Sequence, residues 1–357
     1  MKKACVTAAA WLLVLIIPSL SPAQQVNVQA VSESDHFRHP MKDKYYTENW
    51  NYQVIQDSGE LLSLSFSYSN LGVTSGSASV QFTLGRPGSA PPLTVRDEMN
   101  PSNYGENAQA GAILIGVHSI AVKDNVTRLI FSRKEVKLEL TIHPWVSGFQ
   151  VGDGVTMINK EKGEFYRTFI EIPRGDAEGT LTVQGVERPI KGAAYMDHTV
   201  SNILQIAYSS HWYSLRAFLQ DYTVALLEFQ YLPKAGGGRW ALGYAANREK
   251  ILGVSTDYKA EASGEYKDKS CTVPTGFAVQ MSAGDILLNG SFQSREAYGC
   301  ISVLESLNWV TRKLAGAFAG NPIVCRFLSN ADLNLTIGNK AIHLEGPAYQ
   351  GIVSMGN

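Results

Sequence analysis

Cysteine is scarce in this chain of 357 residues, which contains four. Cys5 stands near the N-terminus, while Cys271, Cys300 and Cys325 are spread over the second half. Separations of that length do not resemble the paired ligand spacing of a structural zinc site. A dominant charge is also missing, since 31 basic residues face 32 acidic ones. Such a balance, with no basic block, argues against nucleic acid or an anionic membrane surface as the main partner. No apolar run reaches the roughly 20 residues that a membrane-spanning helix needs. Gly-x-Ser-x-Gly, the phosphate loop and the dinucleotide fingerprint are all absent. Gly236-Gly237-Gly238 lies between strand-like runs and opens no helix, so it reads as a turn.

What is there begins with a leader. Lys2 and Lys3 precede the uncharged apolar stretch from Ala8 to Ile17, Pro18 breaks it, and Ser21-Pro22-Ala23 supplies small residues for cleavage. Residues 1–23 therefore read as a secretory signal peptide, and the expected location is periplasmic or secreted, with no transmembrane segment after cleavage. Without Lys2 and Lys3, 29 basic residues remain against 32 acidic ones. An exported chain can oxidise a cysteine pair. One disulfide and one free thiol are expected among Cys271, Cys300 and Cys325, with the pairing left open. The remaining length exceeds one usual core, so two closely packed domains are expected, 24–190 and 191–357, with the boundary at Pro189–Gly192.

Period-2 alternation runs through nearly the whole chain. Leu62, Leu64, Phe66 and Tyr68 alternate with serines, and Val136, Leu138, Leu140 and Ile142 alternate with polar residues. One apolar face per strand is the mark of half-buried antiparallel sheet. Further strands are expected at Val80–Leu84, Ile113–Ile120, Phe165–Ile172, Leu181–Val186, Ile203–Tyr208, Trp212–Leu219, Thr223–Leu232, Trp240–Ala245, Phe277–Ser282 and Ile323–Leu328. Turn residues such as Lys123-Asp124-Asn125 and Gly152-Asp153-Gly154 separate them at hairpin spacing. One segment departs from the pattern. Val303, Leu304, Leu307, Val310, Leu314 and Phe318 recur at helical spacing, which predicts a single amphipathic helix over Ser302–Phe318. Strands in this number suit two sandwiches or two barrels.

Gly192-Ala193-Ala194-Tyr195-Met196-Asp197-His198 sets an acid beside an imidazole in an apolar, glycine-flanked run. A desolvated Asp197 can serve as a general acid, and His198 can orient it or shuttle its proton. Equally, the two can form a buried pair that braces the halves. Adjacent strand residues point to opposite faces, so both serve one cavity only at a bulge or turn. Along His211–Arg216, alternation puts Trp212, Ser214 and Arg216 on one face. Arg216 is expected either to pair with Glu228 across neighbouring strands or to anchor a ligand headgroup. Asp35-His36-Phe37-Arg38-His39 carries two histidines, but with no third ligand in view it reads as a solvated arm rather than a metal site.

At the level of motifs the chain resembles the tandem lipocalin-like superfamily of yeast survival factor proteins, bacterial AttH-like proteins and carotenoid 1,2-hydratase. Glu48-Asn49-Trp50-Asn51-Tyr52 resembles that superfamily's opening Glu-x-Trp-x-Tyr/Phe, and Tyr68-Ser69-Asn70-Leu71-Gly72 resembles the survival-factor Tyr-Ser-Asn stretch. Gly192–His198 resembles the Gly-x-x-Tyr-x-Asp-His motif that opens the second half, and His343–Tyr349 resembles the closing strand. Thr199-Val200-Ser201 departs from the Asn-Trp/Tyr-Gly that follows Asp-His in the AttH and hydratase branch, and the other motifs lean toward the survival-factor branch, which is associated with lipid handling. The resemblance implies an all-β fold of two tandem lipocalin-like, calycin-type antiparallel β-barrels side by side, with one short amphipathic helix in the second. It implies a hydrophobic or amphipathic ligand, a lipid or terpenoid, held in a barrel cavity without cofactor or metal. Trp50, Tyr52, Tyr195, Trp212, Arg216 and Glu228 are the expected ligand contacts. The alternative is a hydratase, isomerase or cyclase acting on an alkene, with Asp197 as general acid and His198 beside it.

Overall fold

The computed structural model describes residues 26–71, 76–268, 271–302 and 322–355. The alternating runs form long antiparallel strands. All strands from Val28 to Ser201 join one 14-stranded sheet, and those from Ser209 to Ser354 join a 9-stranded sheet, save a small ribbon of Tyr266–Lys267 with Thr272–Val273. The hairpins have the expected turn chemistry, with Asp124 and Asn125 both in the left-handed region. The leader and the Ser302–Phe318 helix lie outside the described residues, apart from Ser302, which ends a strand.

Each sheet curls so that its first long strand meets its last. Thr47–Gln56 pairs with Val186–Ser201 in the first half, and Ser209–Phe218 pairs with Lys340–Ser354 in the second. The two halves are thus lipocalin-like repeats of one plan. This corrects two sequence expectations. The Gly192–His198 motif closes the first half rather than opening the second, and the Pro189–Gly192 boundary falls inside a strand. Pro189 is tolerated there because only the Gly192–Ser201 part of its strand pairs with Thr47–Gln56, leaving the proline's other side off that ladder. Gly192 makes no turn: a Cβ on it would stand 2.2 Å from the Ile55 carbonyl oxygen, so it permits close backbone approach.

The passage between the sheets lies in residues 202–208. It was expected as strand over Ile203–Tyr208, but Gln205–Tyr208 forms one helical turn. Ser201 Oγ donates to carbonyls of Phe165 and Ile203 and ends the ladder. Ile203 and Tyr208 then bury against Tyr166 and Phe229, so tertiary packing overrides the local pattern. Cys300 and Cys325 lie opposite each other on paired strands and form a disulfide, and Cys271 is the free thiol among the described residues.

The three largest apolar cores among the described residues follow from strand alternation. One fills the first barrel with Trp50, Tyr52, Phe66, Phe82, Phe131 and Met196. Another fills the second with Phe277, Met281, Phe292 and Phe327. The third lies between the barrels, where Ile55, Phe149, Ile170 and Tyr195 meet Phe218, Leu227, Tyr244 and Tyr349. Both interiors are therefore occupied by side chains. The larger of the two described cavities, of 870 Å³, lies at this seam and is lined from both halves.

Candidate ligand-binding site

Alternation separates Asp197 from His198. Trp50 stands opposite His198 and Asn51 opposite Asp197 on the paired strand, so His198 looks into the first barrel and Asp197 into the seam. The expected shared cavity for the pair is not formed, because no bulge falls between them. The anticipated ligand residues divide the same way. Trp50 and Tyr52 lie inside the first barrel, Tyr195 and Arg216 lie in the seam, and Glu228 lies inside the second barrel with Tyr213 opposite it. Trp212 joins an aromatic group with Tyr166, Tyr208 and Phe229, part of it contributed by the first half.

The mouth of the first barrel holds a buried ionic network. His198 Nε2 lies 2.8 Å from Glu48 Oε1, and its Nδ1 lies 2.9 Å from the Asp35 carbonyl oxygen and 3.1 Å from Glu171 Oε1. Both ring nitrogens face acceptors, so both donate and the ring is an imidazolium. Burial lowers the His198 pKa, but Glu171 and Glu48 outweigh it and raise the value to about 9. Burial likewise opposes ionisation of both glutamates, yet their histidine partners hold each near 2. Tyr46 donates to Glu48, and the Trp50 ring stacks on His198 at 4.7 Å.

The segment read as a solvated arm is part of this network. His36 is buried and its Nδ1 lies 2.9 Å from Glu171 Oε2, while the His36 carbonyl accepts from Trp50 Nε1 at 2.8 Å. His39 donates its backbone N–H to Glu48 at 3.0 Å, and Arg38 stacks on Tyr68 at 4.2 Å. Burial of these contacts, invisible to a local reading, converts the arm into a cover. His39, Glu48 and His198 bring ligand atoms within 4.8 Å of one another, a donor set that can hold a metal ion; here both histidines are hydrogen-bonded to Glu48. Glu171 was not anticipated. It falls at a register shift between Ile170 and Ile172, and such a bulge re-aims a side chain. The proline two residues on, Pro173, was the available signal of irregular pairing.

In the seam, Asp197 belongs to a polar ladder across three strands. Ser65 Oγ donates to Asn51 Oδ1 at 2.8 Å, and Asn51 Nδ2 donates to Asp197 Oδ1 at 2.8 Å. Arg216 Nη2 comes from the other barrel to 3.5 Å from Asp197 Oδ2. Arg216 also donates to Gln53 and stacks over Tyr195 at 3.6 Å, with Tyr349 at 5.6 Å. Burial raises the Asp197 pKa, against the pull of Arg216 and Asn51. The expected Arg216–Glu228 pair is absent, because Arg216 stands opposite Ala225 and faces the seam while Glu228 faces inward. Glu228 instead accepts from Arg239 Nη1 at 2.9 Å and from Gln230 at 2.8 Å. The seam face of Ser209–Phe218 also carries Trp212 Nε1, Ser214 Oγ and Arg216 Nε, three buried polar atoms without a hydrogen-bond partner among the described residues.

The fold has precedents among solved structures, and they establish the fold alone. The structure of CghA with Sch210972 is similar at 13% identity and a TM-score of 0.64, covering 88% of this chain and 90% of that one. A putative AttH from Nitrosomonas europaea is similar at 13% identity and a TM-score of 0.62, covering 93% of this chain and 99% of that one. Kievitone hydratase from Nectria haematococca is similar at 13% identity and a TM-score of 0.57, covering 94% of this chain and 98% of that one. No curated protein matches the chain by sequence. The Svf1 family model matches residues 18–353, nearly the whole tandem repeat, and the chain belongs to the Svf1 family.

Proposed function

We propose that this protein binds a hydrophobic or amphipathic small molecule, a lipid or terpenoid, in the seam between its two barrels. The carrying observation is the row of buried polar atoms without partners at Trp212, Ser214 and Arg216. Buried polar groups are almost always hydrogen-bonded, so a row of orphans on one seam face points to a missing partner. Apolar walls with a few fixed polar groups are the usual composition of a ligand site. The seam core supplies such walls in Ile55, Phe218, Leu227 and Tyr244. The leader-like N-terminus supports an exported carrier. Protein purified without detergent is expected to carry a co-purifying apolar molecule by native mass spectrometry. No bound molecule and no uptake from a broad lipid panel overturns the reading.

A second reading rests on Asp197, a seam carboxyl that burial makes harder to ionise. In its neutral form Asp197 gives its proton to one alkene carbon, a cation forms at the other, water adds there, and the proton released returns to the carboxylate. The Trp212 ring can stabilise the cation through its π face; the face of Tyr195 is taken by Arg216. Kievitone hydratase among the similar folds supports the class. Incubation with candidate polyenes, comparing wild type with Asp197→Asn, tests it. Product formed equally by both removes the acid role.

A further inference from the structure

The seam groove holds a buried cation that no part of the Asp197 site uses. Arg174 lies at a second register shift of its strand, between Ile172 and Gly175, and lines the 870 Å³ groove. It is 8% exposed, whereas the other cations of the lining, Lys191, Arg248 and Arg295, are exposed. Its guanidinium is held by rings, 4.5 Å from Trp145 and 4.9 Å from Phe218. Its polar valences are not met. Nε and Nη1 have no hydrogen-bond partner among the described residues, and Nη2 comes no nearer than 4.0 Å to Asp176 Oδ1. Asp176 is 54% exposed and is shared with Arg248 at 3.5 Å. The other lining acids, Asp57 and Glu178, are exposed at the rim. A buried guanidinium with free donors is costly unless a counter-charge completes it. Its planar fork matches a carboxylate or a phosphate.

Arg248 stacks on the same Trp145 at 4.1 Å, so two guanidinia lie on one indole at the groove. The groove floor is apolar, with Ile55, Ala193, Phe218 and Leu328, and it is continuous with the seam core that contains Tyr195 and Tyr244. Along the strand, Phe218 is two residues from Arg216 on the same face, one step of about 7 Å. Charge at the groove and apolar surface leading inward fit a molecule with an acidic head and an apolar tail. We propose that Arg174 is the anchor for an anionic headgroup, a carboxylate or phosphate, of a ligand whose tail lies along the seam. The proposal rests on the seam-binding reading and adds the chemical class of the head.

The test measures binding of dodecanoate, 1-dodecanol, acetate and inorganic phosphate to the full chain by calorimetry. Wild type, Arg174→Met and Arg174→Lys are compared. Dodecanoate is expected to bind wild type about tenfold or more tighter than dodecanol, the size of a charge-assisted hydrogen bond. Arg174→Met should erase that difference and leave dodecanol binding unchanged. Arg174→Lys, which keeps the charge but loses the fork, should retain part of it. Arg174→Met should also melt no lower than wild type without ligand, because an unmatched buried charge has been replaced by apolar volume; if the Met variant does not fold, Arg174→Lys carries the test through a preference for dodecanoate that is reduced but not erased. Phosphate or acetate binding as tightly as dodecanoate, and only with Arg174 present, supports the anion site with a free anion as its occupant. Equal affinity for dodecanoate and dodecanol in wild type overturns the anion site and leaves seam binding standing. Binding of no probe overturns both.

Discussion

The Arg216 guanidinium lies 3.6 Å over the Tyr195 ring of the facing barrel. Tyr195 and Tyr349 occupy matching positions, each on the closing strand of its own half: Tyr195 opposite Gln53, and Tyr349 opposite Arg216. Gln53 and Arg216 are hydrogen-bonded to each other, so the seam centre is a contact between repeat-related positions. Arg216→Ala is expected to destabilise the fold by about 3–5 kcal/mol, since it leaves the Asp197 carboxylate without its cation. Arg216→Met combined with Asp197→Asn should cost less than the two single changes added together. Chemical denaturation of Arg216→Ala, Arg216→Met, Asp197→Asn and the double variant measures this. A full sum in the double variant would mean the two groups do not interact.

Stability should depend on pH through the covered mouth of the first barrel. His198 is raised to about 9 when folded, against an ordinary value near 6.5. The folded state therefore holds the proton more tightly, and this contribution is complete below about pH 6.5 and is lost as pH rises through 9. Glu48 and Glu171 are held near 2, so their contributions are present above about pH 4.5 and fade as pH falls toward 2. His198→Gln is expected to flatten the decline between pH 6.5 and 9, which in wild type has a slope of at most about 1.4 kcal/mol per pH unit from this group. Thermal unfolding across pH reads the slope. An unchanged alkaline decline in the variant would assign it elsewhere.

Much of the fold was legible from period-2 alternation, because a sheet with one buried face writes its register into the sequence. Leu62 to Tyr68 and Val136 to Ile142 lie in strands over the anticipated ranges. Alternation put Arg216 on the face of Trp212, whereas Trp50 and Tyr52, expected as ligand contacts, pack in the first-barrel core. What could not be read was which strands become neighbours. Arg216 and Glu228 lie on adjacent strands, but a register offset sends them to opposite faces. Glu171 and Arg174 owe their positions to two bulges, which interrupt the very period used to read the rest. His36 looked exposed because its partner Glu171 is distant in sequence, and His39 because its partner Glu48 lies on the strand Thr47–Gln56, beyond the arm.

The sulfur cluster yields an asymmetric outcome. Cys271 Sγ lies 3.4 Å from Cys325 Sγ, the sulfur already bonded to Cys300. Thiol counting on denatured, non-reduced protein should find one free thiol among these three residues. Cys300→Ser is expected to leave none, because Cys271 can pair with Cys325 after a small shift. Cys325→Ser should leave two and lose the cross-link over a separation of 25 residues, about 3 kcal/mol of stability. Two free thiols in Cys300→Ser contradict the 3.4 Å proximity of Cys271 and Cys325.

Asp197 and His198 supply the last prediction, since they are adjacent in sequence and belong to different sites. Asp197 is tied to Asn51 and Arg216 in the seam, and His198 to Glu48 and Glu171 in the first barrel. Among the described residues they share no hydrogen-bonding partner, and the His198 charge acts on Asp197 less than Arg216 and Asn51 do. Asp197→Asn keeps the shape and one acceptor for Asn51, and its stability cost should be modest, about 1–2 kcal/mol. His198→Gln removes the cation between two buried carboxylates and should cost about 3–5 kcal/mol. Double-mutant cycles are expected to show coupling above about 1 kcal/mol for His198→Gln with Glu48→Gln and for Asp197→Asn with Arg216→Met. Asp197→Asn with His198→Gln should add to within about 0.5 kcal/mol. Ligand affinity separates the two further: the seam change should alter it and the barrel-mouth change should leave it near wild type once folding is corrected for. Strong coupling between Asp197 and His198, or ligand affinity that follows His198 instead, would move the site from the seam into the first barrel.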